Sequence, residues 1–170
     1  MDYNTIMSLP YLDMVVYESM RHFPIVEITR LCTKDYRVPG TDFTIPKGMP
    51  VVASAPGIMM DERYFPNPTK FNPENFSVGN KEKRSPYAFL IFGHGPRNCI
   101  GNRLGLLKVK TGVAHVVHNF RIMATPRTPQ KLELDPKRTS IEIKEGAWVK
   151  FERRGMRGRR LSRQGSALLS

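Results

Sequence analysis

Apolar side chains recur at intervals of three and four between residues 8 and 23, at Leu12, Val15, Val16, Met20 and Phe23, the spacing of a helix with one buried face. Ser8 stands where an N-cap belongs, and Pro24 closes the run. The period then shortens: alternation over 28–32, 36–38, 43–45 and 49–53, broken by Pro39-Gly40 and Pro46-Lys47-Gly48, predicts a small sheet of short strands. From 56 to 86 the prolines at positions 66, 68 and 73 leave room for one short helix, around 58–63, in a meandering coil. Helical spacing returns over 100–120 at Leu106, Val109, Val113, Val116, Val117 and Phe120, and 120–123 reads as a strand. Alternation over 140–151 around Glu145-Gly146 predicts a two-stranded hairpin. The expected class is α+β, mainly α with small β-sheets, and no internal repeat is present.

Composition changes this picture at one place. The net charge of +12 suggests a nucleic-acid partner until it is located. Half of it comes from Arg153, Arg154, Arg157, Arg159, Arg160 and Arg163, so residues 154–170 read as a basic, disordered tail behind a domain at 1–153. A tail of this kind binds phosphates without folding, which leaves RNA or membrane binding as a rival reading. No aromatic residue after Phe151 offers a stacking platform, and no specific nucleic-acid partner is expected. The two cysteines, Cys32 and Cys99, have neither disulfide-framework nor zinc spacing, so a reducing compartment is the default. No run approaches the ~20 apolar residues of a membrane span, and the first residues do not begin a signal peptide. His115 and His118, three apart, have no further ligand placed near them, and His94 reads as a loop position.

One stretch carries chemistry. Phe92-Gly93-His94-Gly95-Pro96-Arg97-Asn98-Cys99-Ile100-Gly101 is a glycine-rich loop that brings Cys99 to the start of the 100–120 helix. Aligned amides and the helix dipole at such a place favour a negatively charged, electron-rich sulfur. Gly93 and Gly95 let the loop turn tightly, and Gly101 leaves the sulfur's neighbourhood free of a side chain, as a flat ligand requires. Phe92 is placed to cover the sulfur, and Arg97 to pair with a carboxylate. From these residues alone, a buried structural cysteine beside a turn is the competing interpretation.

The whole string resembles the FxxGxRxCxG signature of the cytochromes P450, closest to animal microsomal members that oxidise drugs, toxins and lipids. The resemblance runs from about Tyr3 to Arg153 and implies a haem-thiolate monooxygenase: haem b iron held by Cys99, with Phe92, Gly93, Arg97 and Gly101 around it. Arg30 matches the family's sheet arginine that pairs with a haem propionate. Glu18 and Arg21 match the ExxR pair that supports the haem-binding core. Phe71-Asn72-Pro73-Glu74-Asn75-Phe76 resembles the PERF segment, but Asn75 replaces the usual arginine, which implies a weaker three-way lock. Ile25 and Val26 fall where the family lines its substrate pocket. Cys32 lacks this setting.

The implied partners are NADPH-cytochrome reductase, O2 and a small apolar substrate, at the cytosolic face of the endoplasmic reticulum for a full-length parent. The basic residues Lys81, Lys83, Arg84, Lys108 and Lys110 are expected on the thiolate side of the haem, the face that receives the acidic reductase, although solvated surface charge explains them equally well. Residues 1–170 contain no membrane anchor and no long helix with the family's acid-threonine pair, so no catalytic residue is assigned. The chain is expected to be the C-terminal part of the fold and inactive alone, which leaves a non-catalytic haem-binding fragment as the other alternative.

Overall fold

The computed structural model describes residues 2–24, 27–135 and 142–155. Helix α1 (Tyr3–Met7) is capped by Asp2, whose carboxylate accepts from the Thr5 amide at 2.8 Å. Helix α2 (Pro10–His22) begins on a proline, whose missing N–H costs nothing in a first turn. Ser8 is therefore not the cap expected of it. It closes α1 instead, its hydroxyl donating to the Thr5 carbonyl at 3.1 Å, while Leu9 precedes α2 without a side-chain cap.

Four short strands follow. β1 (Ile28–Leu31) pairs antiparallel with β4 (Pro50–Ala53), Ile28 opposite Ala53, and between them β2 (Tyr36–Arg37) pairs with β3 (Thr44–Ile45). Helix α3 (Ala55–Met59) starts three residues before the expected 58–63, because Ser54 caps it through the Gly57 amide and Pro56 fits its first turn. Beyond the proline-rich coil lie a 3-10 turn (Pro73–Phe76) and helix α4 (Val78–Lys83), where only coil was expected. Helix α5 (Asn102–Asn119) follows the cysteine loop.

The end of the domain pairs differently from the hairpin read over 140–151. The tight turn at Glu145-Gly146 is present, with Gly146 at φ 72°. However, β6 (Val149–Arg153) pairs with β5 (Phe120–Ala124), Ile122 opposite Phe151, and Ile143 bridges Leu134. Alternation identifies a strand but not its partner, and the strand-like 120–123 supplies that partner. Residues 140 and 141 of the expected hairpin, and residues 156–170 of the basic tail, lie outside the described residues.

The core lies between α2 and the segment from α3 to the cysteine loop. Ala55, Met59, Phe65, Phe76, Ala88, Leu90 and Ile91 are buried, with Tyr17, Met20, Phe89 and Phe92 packed against them. Phe76 stacks on Tyr17 at 5.5 Å and meets Phe89 edge-on at 4.9 Å. Each fully buried aromatic contributes roughly 1.5–3 kcal/mol. Among the described residues the result is a mainly helical body carrying three two-stranded antiparallel sheets, and it places the cysteine loop directly on the end of the core.

Candidate functional site

The loop is held at both ends by its backbone. Gly93 N–H donates to the Leu90 carbonyl at 2.9 Å, and Cys99 N–H donates to the Phe92 carbonyl at 2.7 Å, which closes residues 92–99 into one compact turn. Gly93 (φ 71°) and Gly95 (φ 79°) adopt left-handed backbone that other residues rarely tolerate. A Cβ at Gly93 would sit in ordinary contact with the Asn98 Cα at 3.6 Å, so it is the backbone conformation rather than space that calls for glycine there. Phe92 is half-buried on the core, so the loop is anchored by its first residue.

Cys99 is exposed, and α5 begins immediately after it with Gly101 as N-cap and no side chain satisfying the first amides. A Cβ on Gly101 would lie 3.9 Å from the sulfur, so glycine keeps this side of Cys99 open. Ile100, the residue after Cys99, is fully exposed. Arg30 reaches from β1 to the loop, Nη2 donating to the Arg97 carbonyl at 3.4 Å. This brings together the two arginines predicted for propionate pairing, and among the described residues neither is paired with a carboxylate. An exposed cysteine at an uncapped helix start, a bare glycine, an exposed apolar side chain and two guanidiniums that no carboxylate among the described residues engages are a donor set that fits haem.

Cys32 sits elsewhere. Its amide donates to the Met49 carbonyl at 2.9 Å and its thiol lies 2.9 Å from the Lys34 carbonyl, at the turn of the first sheet. Ile25 and Val26 lie outside the described residues. His115 and His118 are exposed on α5, and among the described residues no three His, Cys, Asp or Glu side chains are grouped to hold a metal ion.

Behind the loop, Glu18 and Arg21 form a fully buried, two-point ion pair, Nε to Oε2 at 2.8 Å and Nη2 to Oε1 at 2.9 Å. The guanidinium also donates to the carbonyls of Met59 (2.9 Å) and Pro68 (2.8 Å). Glu18 Oε1 accepts from the Asn72 amide at 2.8 Å and from Asn75 Nδ2 at 3.2 Å. The pair therefore staples α2 to the coil between α3 and α4. Asn75 reaches Glu18 with one bond where arginine has the geometry for two. Beside it the Arg84 guanidinium lies over Phe65 (4.2 Å) and Phe76 (4.8 Å), and burial lowers its pKa against the opposing pull of Glu18. Asn75→Ala removes a single hydrogen bond to a charged acceptor, so it is expected to cost about 1.5–3 kcal/mol, read from the urea midpoint of unfolding.

The basic face is smaller than the sequence suggests. Lys110 is 2% exposed and pairs with Asp13 Oδ1 at 2.6 Å. Lys81 pairs with Asp13 Oδ2 at 3.2 Å and lies over the Tyr17 ring. Lys83 and Lys108 remain exposed. The pairing of Lys81 and Lys110 with Asp13 escaped the sequence reading because charges on helices are ordinarily solvated. The signal was Lys110 itself, which shares a helical stripe with Leu106, Val113 and Ala114.

The comparisons with known proteins show the family. The family model for cytochrome P450 matches residues 1–149. Cytochrome P450 6k1 of Blattella germanica is 39% identical over 150 residues, covering 88% of this chain and 29% of that protein. Cytochrome P450 6l1 of the same species is 44% identical over 138 residues (79% and 27%). Cytochrome P450 6B7 of Helicoverpa armigera is 40% identical over 148 residues (86% and 29%). The chain thus spans less than a third of the length of these relatives.

Proposed function

Because the chain belongs to the cytochrome P450 family of haem-iron monooxygenases, we propose that it forms the thiolate wall of such a site, with Cys99 as the axial ligand of haem b. The observation that carries this reading is the exposed Cys99 at the uncapped start of α5, in a loop pinned by the Cys99-to-Phe92 backbone bond. When bound, haem supplies the iron at which oxygen chemistry takes place. Cys99 would donate electron density through its sulfur, which in this family favours O–O cleavage. Phe92 and the bare face of Gly101 would shape the bed against which the flat group lies.

Arg30 and Arg97 would hold the haem carboxylates. Charge-assisted hydrogen bonds contribute about 1.5–3 kcal/mol each, and about 1.4 kcal/mol is tenfold in affinity. Arg30→Gln and Arg97→Gln are each expected to weaken haem binding about tenfold or more in a spectrophotometric titration, and unchanged affinity in both would contradict the assignment. Glu18, Arg21 and Asn75 hold the core and take no part in the reaction.

The family works with a redox partner, which we assign here to NADPH-cytochrome reductase, with O2 and a small apolar organic molecule as co-substrates. No helix among the described residues is long and apolar enough to cross a membrane. The cytosolic face of the endoplasmic reticulum is proposed for the whole protein. Residues 1–170 by themselves are proposed to bind haem without sustained turnover, because no residue among them is assigned to oxygen activation. The test is to titrate the chain with haem, reduce it under carbon monoxide and assay a broad-specificity probe with NADPH and reductase. The red-shifted Soret band of thiolate ligation is expected without sustained product formation. A band of the nitrogen-ligated type would overturn the ligand assignment.

A further inference from the structure

We infer that Asp13, Lys110 and Lys81 form an ionic lock that sets the register of α5 on α2 and thereby positions Cys99, an inference that rests on the haem-thiolate reading. Helix α5 packs on α1 and α2, yet its only buried residues are Lys110 and Ala114. Leu104, Val109, Val113 and Val117 remain substantially exposed, and an apolar groove of about 430 Å³ separates Leu9, Leu12 and Val15 of the α2 side from Val113 and Val117. Apolar packing of α5 is therefore incomplete, with Ala114 its one buried apolar side chain.

Lys110 supplies what the packing does not. Its ammonium is buried where α1, α2 and α5 meet, 2.6 Å from Asp13 Oδ1 and 3.5 Å from the Met7 carbonyl at the end of α1. The other carboxylate oxygen takes Lys81 of α4 at 3.2 Å. A buried ammonium is tolerated only against a partner in good geometry, so a shift or rotation of α5 by one residue would strand it. Asn102 lies eight residues before Lys110, about 12 Å along a rigid helix, and Cys99 stands just ahead of that helix start. Asp13 and Glu18 are five residues apart on α2, roughly 140° around its axis. One helix thus fastens the cysteine helix on one side and the Glu18–Arg21 staple on the other.

The test uses Asp13→Asn, Lys110→Met, the double variant and Asp13→Glu in the 170-residue chain. In the haem-free state, Asp13→Asn, which leaves the buried Lys110 ammonium without its carboxylate, is expected to speed amide exchange over residues 102–114 roughly a hundredfold, and Lys110→Met, which leaves the part-exposed Asp13 to Lys81, several-fold. Exchange over residues 65–76 should stay as in the parent, and Asp13→Glu should recover most of the protection. The double variant leaves no buried charge unpaired, since Lys81 is part-exposed, so it should keep the parent's thermal midpoint. Loaded with haem and reduced under carbon monoxide, it should nonetheless show a several-fold larger fraction without the red-shifted Soret band, which a purely stabilising role would not produce. Parent-like exchange in both single variants overturns the lock. A parent-like band distribution in the double variant, with Cys99→Ala abolishing the band, overturns the positioning of Cys99. If Cys99→Ala keeps the band, the haem-ligand reading has failed instead, and the exchange arm alone decides the lock.

Discussion

Cys99→Ala is expected to abolish the red-shifted Soret band of the reduced, carbon-monoxide-treated, haem-loaded chain, while Cys32→Ala leaves it intact. The two cysteines differ in everything that bears on ligation. Cys99 is exposed at a helix start with no side-chain cap, and the nearest glycine keeps one side of it open. The Cys32 thiol is directed at the Lys34 and Ile45 carbonyls in a sheet turn. A histidine in place of Cys99 should retain some haem but give a nitrogen-type spectrum, since imidazole does not donate electron density as a thiolate does. Because the loop is closed by backbone bonds rather than by the sulfur, Cys99→Ala should unfold at the same urea concentration as the parent. Retention of the band in Cys99→Ala would remove the basis of the proposed chemistry.

Glu18→Ala and Arg21→Ala are expected to be the most damaging substitutions for stability. Both side chains are completely buried, and removing either leaves the other charge in the core, a loss of about 3–5 kcal/mol. Arg21→Ala also abandons the carbonyls of Met59 and Pro68, and Glu18→Ala abandons the Asn72 amide and Asn75. A domain's whole stability is on the order of 5–15 kcal/mol, so either variant should yield little folded protein at 37 °C. Arg21→Lys should rescue poorly, because an ammonium cannot serve two carboxylate oxygens and two carbonyls with a planar fork. Yields and urea midpoints equal to the parent's would show that the pair is not the staple described here.

Much of this arrangement was legible in the sequence, for reasons specific to each element. The three-and-four spacing of 8–23 and 100–120 located α2 and α5 within two residues at most ends, because each helix turns one face toward its neighbours. The cysteine loop was legible because glycines at two positive-φ positions, a proline and a helix start leave few ways to fold it. Glu18 and Arg21 were visible only through the family resemblance, since an i,i+3 charge pair is by itself unremarkable. What the sequence obscured was pairing at a distance. Val149 to Phe151 alternate as a strand would, but nothing local says that Phe120 to Ala124 receive them. Lys81 and Lys110 read as surface charge until Asp13, far away in sequence, is seen to hold both.

Iron X-ray absorption on the haem-loaded chain tests the central claim most directly, because it reports the atoms bound to the metal. The account predicts one sulfur in the iron's first shell in the parent and in Cys32→Ala, and none in Cys99→Ala. A first shell of nitrogen and oxygen alone in the parent, or a sulfur that survives in Cys99→Ala, would contradict it.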